Sequence, residues 1–136
     1  MKSIFKLFLL LFIISNLSSC EKDEGLLPAI SFKTGGTYTS ADASIKGGTS
    51  ITIGISASKS EKEDVLKKFN ISKAINGAGN TTVFDKSLSG SEGDAYTYDY
   101  TTTLETTVGQ KNTYTFTVTN RDGLIGQVSL NVTITQ

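Results

Sequence analysis

The clearest signal in the chain is a strict alternation of apolar and polar residues close to the C-terminus. Large apolar residues alternate with threonine over 114–119 and with polar residues over 127–134. A period of two places the apolar side chains of a strand on one face. Asp122-Gly123 lies between the two runs and tolerates the positive φ of a tight hairpin turn. The pattern therefore predicts a C-terminal β-hairpin with one buried face.

Five earlier segments have the composition of strands, rich in Thr, Ser, Ile, Val and Tyr and separated by turns rich in Gly and Ser. The predicted strands are 29–33, 50–58, 69–75, 83–88 and 95–104. Seven strands in residues 28–136 predict an all-β fold, a two-sheet antiparallel sandwich. Its predicted core consists of Ile51, Ile53, Phe69, Ile71, Phe116, Val118, Leu130 and Val132.

One segment, 61–67, departs from the strand pattern. Ser60 and Glu63 have the spacing of a helix capping box, and Val65 and Leu66 could line one face of a helix. The segment is too short to form an independent helix. We expect a polar loop or a single helical turn between the second and third strands.

The first twenty residues have the layout of an export signal. Lys2 and Lys6 provide a positive start, and residues 7–14 form an unbroken apolar run. That run is too short to cross a bilayer of about 30 Å, which takes about 20 residues. The segment ends in Leu17-Ser18-Ser19-Cys20, which resembles the bacterial lipobox, in which the cysteine is diacylated before cleavage. The resemblance implies a lipoprotein signal peptide over 1–19 and fatty acyl chains, such as palmitate, on Cys20.

The charged residues that follow Cys20 indicate surface display. Lys22, Asp23 and Glu24 resemble the surface-export signal of Bacteroidetes lipoproteins, in which a lysine and two acidic residues follow the acylated cysteine. The resemblance implies a lipidated tether over 20–27, held in the outer membrane and facing the cell exterior. Retention on the periplasmic side is the alternative, because a charge run at a mature N-terminus also serves as a solvated tether.

Composition excludes several classes of function. The chain has no histidine, no tryptophan and one cysteine, which rules out Ser-His-Asp and Cys-His catalysis and a disulfide framework. Tetrahedral zinc sites are built mainly from Cys and His, so none is expected. The formal net charge is zero, and a nucleic-acid partner is therefore not predicted.

The C-terminal half is similar to the PKD and related immunoglobulin-like domains of bacterial surface proteins. In the run 109–120 a glycine-containing turn leads to a tyrosine, then alternating residues and a final Asn, and Asp122-Gly123 matches the last turn of the family. The similarity implies an immunoglobulin-like sandwich over 28–136. It also implies that Tyr114 is a tyrosine corner, with its hydroxyl bonded back to the turn near Gly109. The whole chain resembles a small Bacteroidetes lipoprotein with one such domain.

Carboxylates are the remaining candidates for acid–base chemistry, and their positions do not favour it. The acidic residues of 61–67 lie in a charged loop, and Glu92 and Asp94 lie in a Gly-rich turn. Glycoside hydrolysis needs two carboxylates facing each other across a cleft, and a small sandwich leaves little room for one. We therefore expect no enzyme activity and no catalytic residue. The oxygen-rich turns 91–94 and 120–123 lack EF-hand spacing, so no metal or other cofactor is predicted.

Tyr96, Tyr98 and Tyr100 form the only aromatic group that could contact a ligand. Their period of two places the three rings on one face of one strand. On an outward face they would form a flat strip suited to stacking on sugar rings. On an inward face they would belong to the core, with their hydroxyls bonded at the sheet margins. The polar residues between them, Thr97 and Asp99, resemble a solvent side and favour the inward orientation.

These observations predict a lipid-anchored outer-membrane protein whose sandwich is an interaction or structural module at the cell surface. The expected partners are the membrane, through the lipid on Cys20, and a protein or glycan ligand. The alternative is a carbohydrate-binding accessory lipoprotein of a glycan-uptake system, and fold alone does not choose between them.

The lipid anchor is tested by replacing its acceptor. In Cys20→Ala the thiol is lost, so labelling by a fatty-acid analogue should disappear and the protein should leave the membrane fraction. Ser19→Ala is the matched control, because alanine keeps the small residue of the lipobox and labelling should persist. Gel fluorescence and membrane fractionation measure both variants, and undiminished labelling of Cys20→Ala contradicts the assignment.

Overall fold

The alternating segments form eight β-strands in the computed structural model, which describes residues 25–136. The strands are β1 (Ala29–Phe32), β2 (Ala43–Lys46), β3 (Ser50–Ser58), β4 (Leu66–Ile75), β5 (Thr81–Ser87), β6 (Ala95–Thr103), β7 (Lys111–Asn120) and β8 (Ile125–Thr135). One turn of 3-10 helix, Gly90–Gly93, precedes β6. None of the described helical residues forms a segment long and apolar enough to cross a membrane. The residues predicted to export and anchor the protein lie outside the described range, namely 1–19, Cys20, Lys22, Asp23 and Glu24.

The strands form a three-stranded sheet with the order β1-β3-β6 and a five-stranded sheet with the order β2-β8-β7-β4-β5. This is the predicted all-β sandwich of two sheets. The prediction of about seven strands is confirmed, with one strand more than the sequence indicated. Strand β2 is an eighth strand, and it pairs in parallel with β8. Its four residues include a single large apolar side chain, Ile45, so no clear alternation marks the segment as a strand.

The core lies between the two sheets, and all eight predicted core residues are buried. Phe69 of β4 joins the sheets. The centroid of its ring lies 5.2 Å from that of Tyr96 in β6, in the other sheet, and 6.4 Å from that of Phe116 in the neighbouring strand β7. Fully burying a side chain of this size contributes about 1.5–3 kcal/mol. The inward residues of β7 are buried while its outward threonines are half-buried, so the alternation seen in the sequence is the alternation of core and surface.

The loop between β3 and β4 has no helix, and a buried polar contact holds it in place. Asp64 and Asn120 are each 2% exposed, and the side-chain amide of Asn120 donates a 2.5 Å hydrogen bond to the Asp64 carboxylate. The side-chain oxygen of Asn120 accepts hydrogen bonds from the backbone N–H groups of Asp122 and Leu124. One asparagine therefore connects the β3–β4 loop with the β7–β8 turn.

Tyr114 occupies the expected position near the start of β7 but does not form a tyrosine corner. Its hydroxyl is buried and finds no hydrogen-bond partner among residues 25–136. The backbone N–H of Gly109 donates instead to the carbonyl of Ile134, at 2.8 Å. Burial raises the pKa of Tyr114 to about 12. The prediction was wrong because β8 already binds the turn that the tyrosine was expected to bind.

The two ends of the sandwich can be told apart, because the chain enters the domain at one of them. The Ser60 hydroxyl donates a 2.6 Å hydrogen bond to the Leu27 carbonyl, and Gly25 lies against the Leu124 side chain. We call this end, with residues 25–28, the β3–β4 loop and the β7–β8 turn, the entry pole. The opposite end, with the β4–β5 turn and the β6–β7 loop, is the distal pole.

Gly126 marks a close approach of the chain entry to β8. An added Cβ at Gly126 would overlap the Pro28 carbonyl oxygen, so alanine fits only if the start of β1 moves. We expect Gly126→Ala to lower the free energy of unfolding by about 1–3 kcal/mol, the usual effect of overpacking. Gly79→Ala is the control, because an added Cβ there has no atom within 4 Å. Urea unfolding followed by circular dichroism measures both, and equal losses in the two variants would disprove the close approach.

Candidate functional site

The inner face of the five-stranded sheet ends in a polar cluster at the distal pole. The alternation of β4 turns Lys73 inward after Ile71, and the alternation of β7 turns Asn112 inward before Tyr114. Glu105, in the loop after β6, approaches both from the other sheet. Three polar residues therefore occupy positions that would extend the core if they were apolar.

The Glu105 carboxylate has a partner for each of its oxygens. One oxygen forms an ion pair with the Lys73 ammonium. The other accepts a 2.8 Å hydrogen bond from the side-chain amide of the fully buried Asn112. The Asn112 oxygen in turn accepts a 2.8 Å hydrogen bond from Gln110. The Lys73 nitrogen also lies 5.6 Å from the ring centroid of Tyr114, within the range of a cation–π interaction.

The surroundings of Glu105 favour its charged form. Burial by itself raises the pKa of this carboxyl group, but the hydrogen bonds from Lys73 and Asn112 outweigh that effect, and the pKa of Glu105 is lowered. A group with a lowered pKa stabilises the folded state above its ordinary pKa and loses this contribution as the pH falls through the folded value. The Glu105 side chain is 39% exposed, so solvent screening keeps the contribution modest.

An open groove of about 310 Å³ lies beside this cluster, between the end of β4 and the start of β5. It is lined by Lys73, Ile75, Ala78, Gly79, Thr81 and Val83. Ile75 and Val83 are 40% and 41% exposed. The pairing of β4 with β5 shifts between Ile71 and Ser72 and leaves Val83 without a partner residue in β4, which is a β-bulge. The groove therefore exposes two aliphatic side chains beside a lysine that is already paired.

The three tyrosines of β6 face the interior. Tyr96 is 7% exposed, and Tyr98 and Tyr100 pack against the core. The Tyr98 ring stacks on Phe84 of β5 with centroids 4.5 Å apart, and Tyr100 lies 6.0 Å from Tyr114. The Tyr98–Phe84 pair lies between the edge strands β6 and β5, and Tyr100 packs on β7. The geometry agrees with the inward orientation and leaves no flat strip for sugar stacking.

Two oxygen-rich turns that the sequence drew attention to are occupied by internal contacts. Glu92 binds Lys86 at 2.5 Å, and Asp94 binds Lys59 at 2.6 Å. In the second turn, the side-chain oxygen of Asn120 accepts backbone hydrogen bonds. Within residues 25–136 no three His, Cys, Asp or Glu side chains are grouped so that they could hold a metal ion.

Sequence reasoning did not single out the distal cluster or the groove. One signal was available for the cluster, because Lys73 continues the inward series that Phe69 and Ile71 begin. A lysine at an inward position needs a buried partner, although the sequence does not say which carboxylate provides it. The groove depends on the bulge at Val83, for which the local sequence carries no signal.

The comparisons with known proteins concern the fold. No protein-family model and no curated protein matches this chain. The fold is similar to solved structures of the superoxide reductase (neelaredoxin) from Ignicoccus hospitalis and of a variant of it, with TM-scores of 0.53 and 0.52 and 9% identity to each. The superpositions cover 80% of both chains for the first and 79% for the second. The sporulation control protein Spo0M from Bacillus subtilis has a TM-score of 0.43 and 10% identity, over 81% of this chain and 49% of that one.

The similarity to the superoxide reductase structures corrects the expectation that this chain has no enzyme activity. Both of these enzyme structures share the sandwich, so the small size of this fold does not exclude catalysis. At 9% identity the likeness is one of fold. It transfers no reaction, substrate or site residue to this chain.

The Glu105 carboxylate should make the stability of the fold depend on pH. Its stabilising effect is present at neutral pH and is lost as the pH falls below the ordinary glutamate pKa of about 4.3. Glu105→Gln removes this titration, so Tm should be lower at pH 7 and should fall less steeply between about pH 5 and pH 3 than in the parent.

Glu63→Gln is the matched control for this measurement, because Glu63 is an exposed carboxylate of the β3–β4 loop. Its curve of Tm against pH should follow the parent curve. A Glu105→Gln curve that runs parallel to the parent curve over the acid range would contradict the role assigned to Glu105.

Proposed function

We propose that this chain is a lipid-anchored protein of the outer membrane, displayed at the cell surface, whose sandwich binds a protein partner at the distal pole. The observation that carries the proposal is the position of the groove between β4 and β5, at the pole opposite to the chain entry. A domain held by a lipid on Cys20 would present this pole to its surroundings. Loops and turns at one end of a rigid sandwich are a common place for binding residues.

The chemistry of the groove supports a protein as the occupant. Ile75 and Val83 offer exposed aliphatic surface, which suits an apolar side chain of a partner. The ammonium group of Lys73 is paired with Glu105, so it is not a free site for an anionic ligand. The residues that line the groove are all non-aromatic, and none of them offers a ring face for stacking on a sugar.

The carbohydrate-binding alternative has less support from the geometry. The tyrosines of β6 were its candidate contacts, and their rings pack against Phe69, Phe84 and Tyr114. These three rings therefore do not provide a stacking face for a glycan ligand. We keep it as an outcome of the experiment.

Site-specific photocrosslinking in intact cells tests the proposal with the full chain. A benzophenone amino acid at position 83 should give a discrete, protease-sensitive adduct on illumination. The same amino acid at position 129, on the exposed outer face of β8, is the control and should give none. Val83→Asp should abolish capture by a crosslinker at position 81 without changing Tm, because Val83 is exposed.

Two outcomes oppose the proposal. Identical adducts from positions 83 and 129, or none from 83, would mean that the groove has no partner. Retention on an array of neutral glycans that is lost in Val83→Asp would replace the protein partner by a carbohydrate.

A further inference from the structure

The entry pole exposes apolar side chains that the fold does not use. Six large hydrophobic side chains are well exposed in residues 25–136, and three of them lie at this pole: Leu26 at 57%, Leu27 at 62% and Ile125 at 50%. Single exposed hydrophobic residues are ordinary. These three, however, come from two distant parts of the chain and share one end of the molecule, because residues 25–27 run beside Leu124 and Ser60.

The length of the tether limits where this pole can be. Leu26 follows Cys20 by six residues, and an extended chain spans at most about 3.3–3.6 Å per residue, or about 20–22 Å here. A lipid on Cys20 lies in the bilayer. The entry pole of an anchored protein therefore stays within about 22 Å of the membrane surface, a distance smaller than the sandwich itself.

The charges near the entry pole do not favour a strongly charged partner there. Exposed Lys62, Glu63, Arg121 and Asp122 surround it with both signs, so it is not a site for a strongly charged partner. Without a net charge to attract headgroups, contact with a membrane would have to come from the apolar side chains.

We infer that the entry pole is a membrane-seating surface, in which Leu26, Leu27 and Ile125 enter the interfacial layer of the bilayer to which Cys20 is anchored. The inference rests on the proposed lipid anchor and adds an orientation to it. Leu26 and Leu27 are near the lipid by chain connectivity in any case. Ile125 lies in β8, so its contact with lipid requires the folded domain itself to rest on the membrane.

The absence of tryptophan from the sequence makes the orientation measurable. Ile125→Trp and Val108→Trp each introduce a single tryptophan at an exposed position, one at the entry pole and one in the β6–β7 loop of the distal pole; Val108 is 56% exposed. The full lipidated protein is reconstituted in vesicles of phosphatidylethanolamine and phosphatidylglycerol, with and without brominated acyl chains. Bromine should quench the tryptophan at position 125 at least twofold and shift its emission to the blue. The tryptophan at position 108 should be unaffected.

A third variant, Leu27→Trp, reports the same surface from a residue outside the strands and replaces Ile125→Trp if that variant fails to fold. Co-flotation with the vesicles is measured in parallel. If the protein floats and the tryptophans at the two poles are quenched equally, or neither is, the inference is wrong and the anchor stands. If the protein does not float, the anchor itself is wrong, and the inference fails with it.

Discussion

The inward face of β7 is the constraint on which the rest of the structure depends. This strand lies between β4 and β8 in the five-stranded sheet, and its inward side chains, from Asn112 to Asn120, are at most 2% exposed. Tyr114, Phe116 and Val118 provide the apolar middle of that row and hold the two sheets together. The amides at its ends cannot be left without hydrogen bonds in a buried position, so each of them fixes the loops of one pole.

The asparagines at the two ends of β7 obtain their hydrogen bonds from different partners. At the entry pole Asn120 binds Asp64 and the backbone of the following turn, which closes the surface. At the distal pole Asn112 binds Glu105, and Glu105 in turn pairs with Lys73. The second arrangement places an ion pair at the margin of the core and leaves the adjacent end of the β4–β5 hairpin open as a groove. The different chemistry of the two poles thus follows from the partners of two asparagines on one strand.

Features that depend on the alternation of side chains within one strand were predicted from the sequence. Features that depend on which distant segments of the chain pair with each other were missed. Alternation with a period of two determines which face is buried, so the core residues and the bounds of β3 were predicted correctly. Strand β2 was missed because its four residues pair with β8, far along the chain. The tyrosine corner failed for a similar reason, since the Gly109 turn that the Tyr114 hydroxyl was expected to bind is hydrogen-bonded to Ile134 of β8 instead. The groove was missed because the bulge at Val83 follows from the register between β4 and β5.

The likeness to superoxide reductases shows that this sandwich is compatible with catalysis elsewhere, so fold cannot decide the function of this chain. The geometry of the poles provides a more specific argument. Strand β7 has 10 residues and spans about 33 Å at 3.3 Å per residue. Because it is paired on both sides, the distance between the poles is fixed. In a domain seated on the membrane by its entry pole, the groove at Ile75 and Val83 would be held about 30 Å above the lipid interface. A partner that binds there would meet a rigid support rather than a long mobile tether, and binding would require little loss of conformational freedom from the domain.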